Sequence, residues 1–190
     1  MEIKTLQIFT DYVCPWCYLG QARLKKVISK YKINSEIIHF PLHPDTPKGG
    51  RSLLDLFGCS QEELNQKNSM MSKLMNEENL EYNDREYTYN SRLAQELGYW
   101  AQFKYKNEEI HDELYKSYFI NKNNVYEIDI LLNAASKAEL PEKEAKEILE
   151  KRTYKDVIDE HWEYSYKTGV TGVPTYILGT SYLVGAQQEQ

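Results

Sequence analysis

Two cysteines, Cys14 and Cys17, stand three positions apart in the stretch TDYVCPWCYLG, residues 10 to 20. At that spacing two thiols can form a redox couple, supply half of a metal site, or be structural. A thiol at a helix N-terminus meets unsatisfied backbone N–H groups and the positive end of the helix dipole, which favour the thiolate. The thiolate is the species that attacks a disulfide, and a second thiol one turn further along can resolve the mixed disulfide. On this reading Cys14 is the exposed nucleophile and Cys17 the buried resolving thiol. Pro15 stiffens the turn. Trp16 carries one N–H donor and no titrating charge, so it shields or presents the site without charging it. The spacing becomes a strong signal only between a strand and a helix near a chain start.

The surrounding pattern supplies that setting. IKTLQIF, residues 3 to 9, alternates and is rich in β-branched residues, which predicts a short strand. From Trp16 to about Tyr31, Leu19, Leu24, Val27, Ile28 and Tyr31 recur at helical intervals, with Pro15 suited to the first turn. NSEIIHF, 34 to 40, is a second strand. Pro41, Pro44, Pro47 and Gly49-Gly50 then mark a loop. From about Ser52 to Tyr166 the pattern is helical throughout. Ser60 with Glu63 makes a capping box. Leu93, Leu97, Trp100 and Ala101 form an apolar stripe, Pro141 opens a helix, and Gly169 closes the last one. VTGVPTYIL and SYLVGA are short and β-rich, joined at Gly179-Thr180, and read as a hairpin.

Four segments in this order resemble one family. DYVCPWCYLG (Asp11 to Gly20), FPLHPD (Phe40 to Asp45), GVTGVPTYIL (Gly169 to Leu178) and GAQ (Gly185 to Gln187) resemble the DsbA-like thioredoxin-fold proteins. The closest branch is the FrnE type, related to 2-hydroxychromene-2-carboxylate isomerases and kappa-class glutathione transferases. The resemblance implies an α/β thioredoxin-like fold with a large all-helical insertion between the second and third strands. The domains would be 1–48 with 167–190, and 49–166. It also implies a cis Val173-Pro174 bond beside the cysteines, with Val173 and Thr175 offering backbone hydrogen bonds to substrate alongside Pro15 and Trp16; a trans edge-strand proline is the alternative. Redox members of the branch keep both cysteines, whereas the transferases and isomerases hold glutathione at a serine in the position of Cys14. The family's terminal helix after GAQ has no counterpart in the sequence, so a bare, association-prone sheet face is expected.

Other readings compete with this one. Cys14-x2-Cys17 followed by His39-x3-His43 superficially resembles a Cys2His2 zinc site. The intervening helix and strand speak against it, and His39 reads as a satisfied strand histidine and His43 as a loop-surface one. Cys59 reads as a helix flank, with a regulatory thiol as the alternative. Asp11 either closes a local turn with backbone N–H groups or tunes the thiols. His111 and His161 read as surface or core-edge residues. Tyr87, Tyr89, Asn90 and Arg92 either shape a substrate cleft or merely cap and pack. Glu77, Glu78, Glu81, Asp84 and Glu86 read as a solvated face.

Bulk properties bound the remaining classes. The 190 residues carry a net charge of −6 with lysines and arginines spread among acids, so no nucleic-acid footprint is expected. No segment approaches the roughly 20 apolar residues of a membrane span, and MEIKTLQIFTDY reads as a mature cytoplasmic start. Three cysteines do not make a disulfide scaffold, and in the cytosol a pair is more often catalytic or metal-binding. The sixteen tyrosines read as packing. The sequence therefore predicts a thiol-disulfide oxidoreductase that needs no metal or nucleotide and acts on protein or small-molecule thiols. Glutathione, thioredoxin or a protein dithiol would serve as electron partner. A glutathione-dependent transferase or isomerase and a non-enzymatic holdase or binding module stand as alternatives.

Overall fold

The computed structural model describes residues 5–188. Strand β1 (Leu6–Thr10) leads through helix α1 (Pro15–Tyr31) into strand β2 (Ser35–His39). Pro15 occupies the first turn of α1, where its missing N–H costs nothing, and Lys32 ends the helix in a left-handed conformation. β1 and β2 pair in parallel, as a helical crossover requires. The first residues of the strand expected at 3–9 lie outside the described residues. The hairpin β5 (Thr175–Leu178) and β6 (Ser181–Val184) pairs antiparallel to β1, giving the sheet order β2-β1-β5-β6. Among the described residues none after Val184 is helical.

Between β2 and β5 lie seven helices: α2 (Leu53–Phe57), α3 (Gln61–Glu77), α4 (Arg92–Tyr105), α5 (Glu109–Phe119), α6 (Ile128–Lys137), α7 (Glu142–Glu150) and α8 (Lys155–Lys167). The capping box is formed: Ser60 Oγ accepts from Glu63 N–H while the Glu63 carboxylate accepts from Ser60 N–H. Pro141 is the N-cap of α7, one position ahead of its first turn. Gly169, at φ +76°, follows the C-cap of α8, a conformation that costs glycine little. The block is not wholly helical. Two-residue strands β3 (Arg51–Ser52) and β4 (Tyr87–Thr88) form a small antiparallel ladder, too short to leave a period-2 signal in the sequence. No helix among the described residues is long and apolar enough to cross a membrane.

Side chains alternate across the sheet. Phe9 stacks on Tyr164 of α8, and Tyr164 Oη donates to Gln7 Oε1 at 3.0 Å, so α8 covers that face. On the other face Thr10 reaches Tyr115 of α5, hydroxyl to hydroxyl at 2.8 Å. The core runs without a break from the cysteine turn into the helices: Tyr12, Tyr18, Tyr115, Tyr118 and Phe119 are all buried and joined by a chain of ring contacts. The expected stripe Leu93, Leu97, Trp100, Ala101 is entirely buried in it. Gly98 makes this possible, since a methyl group there would overlap the Tyr12 hydroxyl.

One buried charge ties the helices together. Glu96 of α4 is fully buried and accepts from Arg92 Nε at 2.9 Å and from both Nε and an NH2 of Arg152, the latter at 2.6 Å. Arg92 also lies 4.5 Å from the Trp162 ring centroid and pairs with Asp159. Removing one partner of such a cluster leaves uncompensated buried charge. Glu96→Ala is expected to lower unfolding free energy by about 3 kcal/mol, whereas Ser60→Ala at the exposed cap should cost about 1 kcal/mol. Urea denaturation of the two variants measures both, and equal small losses would show that the Glu96 cluster carries little stability.

Candidate active site

The cysteine turn begins where β1 ends. Cys14 is the N-cap residue of α1, its carbonyl accepting from Cys17 N–H at 3.1 Å and Tyr18 N–H at 3.2 Å. Both thiols are free. Cys17 sits one turn in and is buried, as expected. Cys14 is not the exposed residue the sequence predicts: it is only 3% exposed. Two neighbours account for this. The Val173-Pro174 peptide is cis and lies against the turn, and the Cys14 thiol donates to Val173 O at 3.4 Å. The helical block closes the other side, since Cys14 belongs to the same core cluster as Leu93, Tyr115 and Tyr118. What the turn does present to solvent is Trp16, 38% exposed.

The backbone next to the cis bond is partly committed. Val173 O is taken by Cys14, and Pro174 O accepts from Gly185 N–H at 2.8 Å. Thr175 Oγ1 donates to Gly172 O at 2.7 Å, holding the loop closed before β5 begins.

The two thiols are electrostatically unequal. Burial pushes the Cys17 thiol well up, and its hydrogen bond to Cys14 and the Cys14 charge push it further in the same direction. Cys17 is therefore the thiol that this environment holds protonated. Behind the pair lies a cavity of about 500 Å3, walled by Ile8, Leu24, Ile37, Tyr176 and Cys17. His111 also borders it; its Nδ1 shares a 2.6 Å hydrogen bond with the Tyr12 hydroxyl, and its buried Nε2 has no partner among the described residues.

Asp11 fixes the position of the turn. It is fully buried, with Oδ1 accepting from Val13 N–H at 3.1 Å, Oδ2 from Leu42 N–H at 3.0 Å, and its own carbonyl from Cys14 N–H at 3.1 Å. The local turn expected from the sequence is present, and the second oxygen extends it to the loop after β2.

The remaining candidates fall in two groups. His39 stacks on His161 and packs at a tilt against Tyr12, with its backbone N–H donating to His161 Nδ1 at 3.2 Å and its own Nδ1 unpartnered among the described residues. It is therefore not the satisfied strand histidine expected. His43 is half-buried in the 40–50 loop. No three His, Cys, Asp or Glu side chains converge among the described residues. Cys59 is half-buried, its N–H donating to Leu54 O at the end of α2. Asn90 both packs and caps, donating to Pro44 O and Thr46 O and accepting from Arg92 N–H. The acidic run is not uniformly solvated, because Glu78 is held by Arg23 and Lys26 of α1, both at 2.7 Å. Within that run the sequence reading passed over Arg85, which is buried; its only signal was a lone cation among acids.

Burial raises the Asp11 carboxyl from 3.8 to about 6, against the hydrogen bonds from Ser91, Leu42 and Val13, which lower it. The folded state therefore holds a proton that the unfolded chain has released, so stability falls as pH rises from about 4 to about 6. Roughly two units correspond to about 3 kcal/mol. His111 works in the opposite sense: burial lowers it from 6.5 to about 4, which makes stability rise over that range. The difference between wild type and Asp11→Asn isolates the aspartate. Urea unfolding from pH 4 to 7 should show the wild-type advantage shrinking as pH rises; parallel curves would contradict the assignment.

Comparison with known proteins agrees with this geometry. A Bacillus subtilis (strain 168) protein, the uncharacterized YwbO, is 27% identical over 187 residues, covering 95% of this chain and 90% of its own. A probable DsbA oxidoreductase from Streptomyces coelicolor superposes with a TM-score of 0.89 at 25% identity, covering 97% of this chain and 85% of that one. The cytosolic disulfide reductase DsbM of Pseudomonas aeruginosa, solved with GSH, shares the fold with a TM-score of 0.69 at 12% identity, covering 95% and 88%. The profile of the DSBA-like thioredoxin domain matches residues 5–190. With a CPWC turn on the first helix of a thioredoxin sheet and a cis proline beside it, the chain belongs to the DSBA-like thioredoxin domain family.

Proposed function

We propose that the protein is a cytoplasmic thiol-disulfide oxidoreductase in which Cys14 attacks and Cys17 resolves. The observation that carries this reading is the Cys14 Sγ placed at the helix N-terminus, 3.4 Å from the carbonyl of the residue preceding the cis proline. The Cys14 thiolate attacks one sulfur of a substrate disulfide. A Cys14–substrate disulfide forms, and the second substrate sulfur leaves as a thiolate and takes a proton. Cys17 then loses its proton and attacks the Cys14 sulfur, expelling the other substrate sulfur. The substrate gains two electrons and two protons, and the protein ends with a Cys14–Cys17 disulfide. The reverse sequence oxidises a dithiol, and the relative reduction potentials decide which way it runs.

Because Cys14 is buried, substrate must displace the Val173 carbonyl from the thiol before attack. The carbonyl and the Thr175 backbone then become available to an extended substrate, while Trp16 offers an apolar surface beside them. Glutathione fits as co-substrate, supported by the fold shared with DsbM, which was solved with GSH. No metal or nucleotide enters any step.

The cavity behind Cys17 favours one second reading, a glutathione-dependent transferase or isomerase acting on a small apolar molecule. The two readings separate on the cysteines. In reduction of insulin by the dithiol form, Cys14→Ser should lose at least about a thousandfold in rate, since no thiolate remains to attack, and Cys17→Ser should accumulate a mixed disulfide visible by mass spectrometry. Retention of full activity in Cys14→Ser would overturn the proposed nucleophile. Glutathione conjugation or isomerisation that survives in Cys17→Ser would favour the second reading.

A further inference from the structure

Arg85 stands in the sequence among Glu81, Asp84 and Glu86, all exposed, yet it is itself only 8% exposed. A buried charge is costly unless it is paired. Glu96, the other deeply buried charge of the helical block, meets two arginines. Arg85 meets no carboxylate among the described residues. Its Nε donates to the Tyr82 hydroxyl at 3.0 Å and an NH1 hydrogen to the Tyr118 hydroxyl at 3.2 Å. The rings of Tyr82, Tyr118 and Phe119 surround the guanidinium at 6.0, 5.8 and 5.4 Å. None of these neighbours is a carboxylate.

A guanidinium has five N–H donors, and the two phenols take two of them. The NH2 nitrogen has no protein acceptor among the described residues and is not sealed in the core. Arg85 also borders a pocket of about 210 Å3 shared with Glu86, Tyr87, Tyr89, Tyr118 and Lys122. Lys122 brings a second cation to its wall, against the single carboxylate of Glu86 at the exposed rim. None of residues 14 to 17 or 173 to 175 borders it, so it is separate from the cysteine site. Its volume suits one polar head group rather than a whole nucleotide. The planar fork of arginine matches a carboxylate or phosphate in a bidentate contact.

We propose that this pocket binds an oxyanion, a carboxylate or a phosphate, through the unpaired donors of Arg85 assisted by Lys122. The aromatic rings hold the guanidinium in a fixed orientation before the anion arrives, and Lys122 supplies the flexible second charge. The chain as a whole is acidic, so attraction to an anion at this point is local rather than a property of the surface.

The test is a titration of the purified full chain, at constant ionic strength, with sodium phosphate and separately with sodium acetate, sodium chloride serving as the control. Amide chemical shifts and thermal unfolding provide the readouts. Saturable binding of phosphate, acetate or both, centred on residues 85 to 89 and 118 to 122, is expected, and the preferred anion identifies the source of the head group. Lys122→Glu, on an exposed side chain, should weaken binding about tenfold, and Arg85→Gln should abolish it. The proposal is overturned if neither anion saturates, if chloride reproduces the response, or if Lys122→Glu binds as wild type does. Insulin reduction by the same Lys122→Glu protein should be unchanged, which keeps this result independent of the cysteine chemistry.

Discussion

The arrangement depends first on one buried carboxylate. Asp11 directly follows β1, and its three acceptors reach Val13, Cys14 and Leu42. Those bonds set where the chain turns out of the sheet and where α1 starts, and so where Cys14 points. They also hold the loop after β2 against the same turn. The cost of burying the group shows in its raised pKa. An apolar residue would fit the surroundings more cheaply but could not accept from two backbone N–H groups at once.

A second constraint acts from the opposite side. The cis Val173-Pro174 bond brings the Val173 carbonyl to the Cys14 sulfur, and the β5–β6 hairpin that follows pairs with β1 through Thr175 and Phe9. The turn is thus gripped by β1 through Asp11 and by the proline loop through a thiol hydrogen bond. The helical block completes the enclosure through Tyr12, Tyr18, Tyr115 and Phe119. Reactivity at a buried sulfur then requires a local opening, and the bond most easily given up is the weak S–H to carbonyl contact.

Local chemistry was legible in the sequence where a single residue type forces a backbone state. Pro15 at the start of α1, the Ser60–Glu63 box and Gly169 after α8 all stand where their patterns place them. The sheet was legible from periodicity together with the resemblance carried by CPWC and GVTGVPT. Burial of polar side chains was not legible, because it depends on which distant elements meet. Glu78 reads as a solvated charge in the sequence, and Arg85 and Glu96 carry no burial signal there; only tertiary contacts with α1, the tyrosine cluster and Arg152 half-bury the first and bury the other two. Cys14 follows the same logic: helix position predicts its chemistry, whereas its accessibility is set by residues 159 positions away. The β3–β4 ladder was invisible because two residues carry no period.

The most direct measurement of the central claim is the equilibrium of the protein's thiols in buffers of graded reduced-to-oxidised glutathione ratio, with free thiols counted after acid quenching. A reversible two-electron transition that joins Cys14 to Cys17 and leaves Cys59 free is predicted, and its midpoint gives the reduction potential. Thiols that stay uncoupled across the whole range, with no Cys14–Cys17 disulfide at any ratio, would contradict the redox couple.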